Sequence, residues 1–117
     1  MIGMILVFEP DLLFSSRIES AATRWGFEAK TAVTIEDFKR ASQEHKPMAL
    51  LVNLDVFPTD GSSLLASYRG QCRLIGYYAH VDAQTASRGI AWGFEEVMPR
   101  RTFVDRLNEV FSNLSSS

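Results

Sequence analysis

Two short apolar runs, MILVF at Met4–Phe8 and MALLVNL at Met48–Leu54, constrain the fold more than any other feature of the chain. Neither shows the apolar–polar alternation of a sheet with one wet face, so each is expected to be a strand covered on both sides. Stripes of helical period follow. Phe14, Ile18, Ala21, Ala22 and Trp25 recur at steps of four, three, one and three, and Gly26 stands where a helix C-cap belongs. Phe27–Ala32 is a rougher strand. Thr34 with Asp37 approximates a capping box before a helix that buries Ile35, Phe38 and Ala41, and Pro47 ends that connection.

Beyond the second run, Ser62 or Ser63 is expected to cap a short helix carrying Leu64, Leu65 and Tyr68, broken at Gly70. RLIGYYA (Arg73–Ala79) reads as a strand that Gly76 weakens, Asp82–Trp92 as a helix ended by Gly93, and Glu96–Met98 as a short strand. Thr102, with Asp105 three residues on, is expected to open a last helix striped by Phe103, Leu107, Val110, Phe111 and Leu114. Five strand–helix alternations with short links require right-handed crossovers and helices on both faces of a parallel sheet. The expected architecture is one α/β domain over residues 1–114 with a frayed tail at 115–117. A sheet of this kind carries its site beyond the carboxyl ends of its strands. Glu9–Asp11, Asn53–Asp60, Tyr78–Asp82 and Pro99–Arg101 therefore share one rim.

Composition narrows the function classes. At 117 residues the chain has room for a single sizeable core, with 46% apolar and 22% charged residues. A net charge of −2 supplies no electrostatic drive toward nucleic acid or an anionic membrane, and neither partner is expected. No run reaches the ~18 apolar residues of a membrane helix, and Met1–Phe8 lacks the basic lead of a signal peptide. Cys72 is the only cysteine, which suits a reducing cytoplasm, and it reads as a small strand-edge residue rather than a nucleophile. His45 and His80 have no partner at metal-ligand spacing and read as surface residues. PDLLFSS lacks the glycines of a phosphate or dinucleotide loop, and Ser15 and Ser16 come too late for a flavin phosphate. His80 lacks the spacing of a cobalamin loop. Trp25 and Trp92 end helical stripes and read as packing.

The four rim segments, in this order, resemble the receiver domain of two-component response regulators of the chemotaxis type. ILVFEPD is similar to that family's first strand with its acidic pair, and RWGFEAKTA to its link into strand two. PMALLVNL is similar to its proline-led third strand, with Asn53 in the place of the phospho-accepting aspartate and Gly61 eight residues later. YYAHVD resembles the end of strand four, and IAWGFEEVMPRRTF the stretch through strand five into the lysine–proline loop. The resemblance covers nearly the whole chain and implies a flavodoxin-like (βα)5 doubly wound fold with a five-stranded parallel sheet of order 2-1-3-4-5.

At the site the chain departs from that pattern. Metal and lysine neutralise a transferring phosphoryl group while an aspartate attacks it. Here an amide, Asn53, fills the acceptor slot. Glu9 is followed by Pro10, leaving Asp11 as the other acid of the pocket, so Mg2+ binding is expected to be weak or absent and no cofactor is expected. Tyr78 takes the small-hydroxyl position, either as a half-buried strand tyrosine or as a plug. Arg100 takes the lysine position and is placed to pair with Glu9 or Asp11. Arg101 replaces the following proline, so a cis bond is not assumed, and Val97 replaces the usual strand-five aromatic. Pro58 follows Asn53 by five residues, one more than the family spacing, which a register using Leu54 would restore without restoring a carboxylate. Asp55, roughly 6–7 Å further along an extended chain, is the candidate for a displaced acceptor. Otherwise Asp55 and Asp60 shape a turn before Gly61.

The resemblance thus implies a pseudo-receiver: a signalling module, not an enzyme, that works through a protein partner. The face of helix four, strand five and helix five, with Trp92, Phe94, Arg101 and Asp105, is the expected partner or homodimer surface. Two other readings stand beside it. One is a receiver phosphorylated at Asp55. The other is a flavodoxin-like small-ligand sensor using the crevice around Glu9, Tyr78 and Arg100.

Overall fold

The computed structural model describes residues 3–58, 61–79 and 83–116. Five strands, β1 (Met4–Phe8), β2 (Glu28–Ala32), β3 (Ala49–Asn53), β4 (Arg73–Tyr78) and β5 (Glu96–Pro99), form one parallel sheet of order β2-β1-β3-β4-β5. The helices are α1 (Leu12–Arg24), α2 (Ile35–Glu44), α3 (Gly61–Leu65), α4 (Ala83–Ala91), α5 (Arg100–Asp105) and α6 (Leu107–Ser115). This is the expected flavodoxin-like α/β fold. Asp60, His80 and the Asp82 start of the fourth helix lie outside the described residues, as does Ser117.

Strand alternation divides the interior into two layers. On one face Ile5, Val7, Ala49, Leu51, Ile75 and Tyr77 pack against Phe14, Ile18 and Ala22 of α1 and against Phe103, Val110, Phe111 and Leu114 of α5 and α6. On the other, Leu6, Phe8, Leu50, Val52 and Leu74 pack with Phe38, Leu54, Phe57, Leu65, Trp92 and Phe94. The central strands β1 and β3 are buried on both faces, which is why their sequences carry no alternation. Each large side chain so buried contributes about 1.5–3 kcal/mol.

The helix ends follow local chemistry. The Thr34 side chain accepts from the Asp37 N–H at 3.1 Å, as the capping reading expects. Past the Trp25 C-cap, Gly26 takes φ 86° while the Phe27 N–H returns to the Ala22 carbonyl at 2.9 Å. Two expectations need correction. The third helix starts at Gly61, so neither Ser62 nor Ser63 is its N-cap. The last helix starts at Arg100 rather than Thr102, because Pro99 (φ −58°, ψ 149°) leads straight out of β5 into the helix without any side-chain cap. That helix is also interrupted at Arg106 (φ −101°, ψ 13°), whose guanidinium forks onto Glu109 at 3.1 and 3.0 Å. Ser115 closes α6 and Ser116 caps it, so the helix runs into the stretch expected to be frayed.

Gly76 in β4 has a packing cause. Leu54, 1% exposed, lies between β4 and α4, and a Cβ on Gly76 would come within 2.7 Å of Leu54 Cδ1. A Cβ on Gly89 of α4 would meet the same methyl at 2.8 Å. The two glycines thus shape one socket for one side chain. We expect Gly76→Ala to destabilise the protein by about 1–3 kcal/mol in urea unfolding. Leu54→Ala should cost about 2–5 kcal/mol. The double variant should lose clearly less than the sum, since the shortened side chain removes the clash.

Candidate functional site

Glu9 is the residue directly after β1, and strand parity turns it to the same face as Ile5 and Val7, beneath α1. It is only 1% exposed. A carboxyl group held there needs donors, and three converge on it. The Tyr77 hydroxyl donates to Oε1 at 2.5 Å, the Asn53 amide nitrogen to Oε1 and Oε2 at 3.1 and 3.3 Å, and the Asp11 backbone N–H to Oε2 at 3.0 Å. Asn53 ends β3 and pairs in register with Tyr77 of β4, so all three side chains stand on one face at adjoining strand ends.

The orientation of the Asn53 amide is fixed by its two neighbours. Its oxygen accepts the Asp55 backbone N–H at 3.0 Å, closing an Asx turn, while its nitrogen faces the carboxyl of Glu9. Reversing it would set acceptor against acceptor and donor against donor. An aspartate at 53 would keep the turn but bring a second carboxylate to about the same distance from the first. The NH2 half of the side chain is therefore what this position uses.

Other expected site residues are placed differently. Tyr78 is half-buried on the opposite face and packs in the layer with Leu54 and Trp92; the tyrosine that enters the acid pocket is Tyr77. Sequence reading missed Tyr77 because the family resemblance aligned its neighbour; the parallel register that pairs it with Asn53 is the signal that finds it. Leu54 also lies in the opposite layer, so Asn53 is the β3 residue that meets Glu9. Asp11 does not join Glu9 through its carboxylate. One oxygen caps α1 by accepting from Leu13 and Phe14 N–H at 3.0 and 3.3 Å, and the other lies 3.7 Å from Arg100. Arg100 thus pairs with Asp11 of its two expected partners, and its guanidinium carbon sits 3.9 Å from the Phe14 ring centroid. Both ends of that ion pair are well exposed, and its worth is about 0–1 kcal/mol. Asp55 stands in the turn after β3, where one carboxylate oxygen accepts the Ala79 N–H at 2.7 Å and ties the ends of β3 and β4 together.

The surface residues also need correction. Trp92 and Phe94 are 6% and 5% exposed and belong to the core, so they do not form a partner surface. Trp92 packs on Phe57 at a centroid distance of 5.8 Å and lies under Arg88. Arg101 and Asp105 are exposed on α5, and Ile90 of α4 is 66% exposed. Cys72 is buried, with its thiol pushed up to about 11 by burial and by Glu95, so it stays protonated at neutral pH.

The magnesium ion that the receiver resemblance implies does not fit these residues. Mg2+ needs near-octahedral oxygens at about 2.0–2.1 Å. Both oxygens of Glu9 already accept hydrogen bonds, Asn53 turns its nitrogen rather than its oxygen to them, and Asp11 is engaged by α1 and Arg100. Among the described residues no group of three acids, histidines or cysteines is arranged to hold a metal.

Burial and the Glu9 hydrogen bond push the Tyr77 hydroxyl well above the ordinary tyrosine range, which keeps it a donor. A raised value in the folded state means its contribution is complete below about pH 10 and is lost as pH climbs toward that raised value. Tyr77→Phe, which leaves Glu9 one donor short, should lower stability by about 1–3 kcal/mol at neutral pH. The gap between native and variant proteins in urea unfolding should then narrow as pH rises past about 10.

No sequence-family profile matches the chain, and no curated protein matches it. Solved structures do. NtrX from Brucella abortus in complex with ADP superimposes over 99% of this chain and 26% of its own, with TM-score 0.83 and 16% identity. The chain therefore spans about a quarter of that protein's length. The signal receiver domain of the DNA-binding response regulator merR from Colwellia psychrerythraea 34H matches over 97% of this chain and 98% of its own (TM-score 0.82, 18% identity). A response regulator from Thermotoga maritima matches over 97% and 98% (TM-score 0.81, 14% identity). With this strand order and superpositions over 97–99% of its length, the chain has the fold of response-regulator receiver domains.

Proposed function

We propose that this chain is a pseudo-receiver: a two-component, phosphorelay-type signalling module that keeps the receiver fold, carries no aspartyl phosphorylation, and acts through protein–protein contacts. The reading rests on the receiver fold, and one observation carries it. Where a receiver needs an exposed carboxylate nucleophile beside a cation, this chain has Asn53 donating into a Glu9 carboxyl that is 1% exposed and also bound by Tyr77. An amide is not a competent nucleophile for phosphoryl transfer, and the acid beside it has no oxygen to spare. The filled pocket also weighs against a small-ligand sensor at this rim. Exposed residues on α4 and α5 available to a partner or to a second copy include Ile90, Arg101 and Asp105. No helix of the described residues is long and apolar enough to cross a membrane, and we place the module in the cytoplasm.

Incubation with a small acyl phosphodonor and Mg2+, followed by intact-mass measurement, tests the reading. The native protein should show no added phosphoryl group, and its thermal unfolding midpoint should not respond to Mg2+. A Mg2+-dependent adduct would sink the proposal. Mapped to Asp55, it would instead establish the shifted acceptor, at the cost of the Ala79 N–H contact.

A further inference from the structure

The pocket's disagreement with a cation has a definite author among the side chains. We propose that Tyr77 is a built-in occupant of the acid pocket: its hydroxyl satisfies Glu9 where a divalent cation would otherwise do so, so restoring a carboxylate at position 53 does not by itself restore a cation site. The expectation that a cation belongs there rests on the receiver reading above; the competition between hydroxyl and cation rests on the geometry.

That geometry leaves the hydroxyl little freedom. The Tyr77 ring is fully buried, stacked on Phe103 at 4.5 Å and 17°, and set edge-on to Phe14 at 5.4 Å. Its backbone is tied on the β3 side, where the Leu54 N–H donates to the Tyr77 carbonyl at 2.8 Å. Moving the oxygen away from Glu9 Oε1 would therefore mean pulling an aromatic ring out of a packed layer. The hydroxyl is also a poor ligand in its place. It donates to Glu9, so it brings a hydrogen toward the acid rather than a lone pair toward a cation. Asn53 and Tyr77 thus play separate parts. The amide removes the nucleophile, and the phenol consumes the acid. Tyr78, which the resemblance places at the small-hydroxyl position, takes no part because it faces the other layer.

Tyr77→Phe removes one oxygen and keeps the ring, which makes it the fitting probe. Mg2+ affinity is measured by calorimetric titration for Asn53→Asp and for Asn53→Asp/Tyr77→Phe, with circular dichroism verifying that both are folded. The double variant should bind Mg2+ at least about tenfold more tightly, the worth of one hydrogen bond to a charged group. Equal affinities, tighter binding by the single variant, or no binding by the double variant would each overturn the proposal. Should the carboxylate pair prevent folding, Mn2+ titration of the native protein and of Tyr77→Phe replaces it, read as paramagnetic broadening of the backbone amide resonances of Glu9 and Asp11. Broadening should set in at lower Mn2+ in the variant, and coincident curves would overturn the proposal. A phosphoryl adduct on the native chain would dispose of the pseudo-receiver reading without altering this comparison. Coincident affinities would do the reverse.

Discussion

A carboxyl group buried beneath a helix at the rim of a parallel sheet must be given hydrogen-bond donors or it costs several kcal/mol. Glu9 sets that requirement, and the ends of three strands are arranged around it. β1 delivers the acid, β3 the Asn53 amide and β4 the Tyr77 hydroxyl, while the first turn toward α1 turns the Asp11 N–H back onto it. The strand ends are then linked onward by short contacts. Asn53 holds the Asp55 N–H, and Asp55 holds the Ala79 N–H. Among the described residues, these contacts link the strand ends at the rim from β1 through β3 to β4.

The two layers of the core depend on the same parity. Because Glu9, Asn53 and Tyr77 all face α1, their immediate neighbours Phe8, Leu54 and Tyr78 face the other side. There Leu54 fills the socket that Gly76 and Gly89 leave open, and Phe57 meets Phe8, Phe38 and Trp92. A single-residue slip of β3 would exchange the amide for a leucine against Glu9 and drive Asn53 into an apolar layer. The polar knot and the apolar socket therefore specify the same register from opposite faces. Tyr77 belongs to both the site and the core, since its hydroxyl is in the pocket and its ring is stacked on Phe103. Through that contact the pocket is in mechanical touch with α5, the helix that carries Arg101 and Asp105.

Much of this was legible in the residues. MILVF and MALLVNL marked the central strands, the Phe14–Ile18–Ala21–Ala22 stripe marked α1, and Thr34 marked the start of α2. The order of the rim segments led to the receiver fold and to Asn53 as its informative residue. The misreadings share a physical origin. Tyr77 and Tyr78 are chemically identical neighbours, and only strand pairing says which hydroxyl enters the pocket. Asp11 is an acid two residues from Glu9 in sequence, yet the open N–H groups of α1 claim its carboxylate. Trp92 and Phe94 flank a helix end, where burial depends on how that end docks, and here both fold inward.

What the sequence determined by itself was the periodicity, the helix-end chemistry at Thr34 and Gly26, and the presence of an amide at position 53. These are properties of residue type and spacing along the chain. What only the tertiary structure decided was the fate of the pocket: that Glu9 is buried, that its oxygens are taken by Asn53 and Tyr77, and that Asp11 and Asp55 are committed elsewhere. Hydrogen bonds between residues 44 and 68 positions apart arise from sheet register and side-chain direction, which no local pattern encodes.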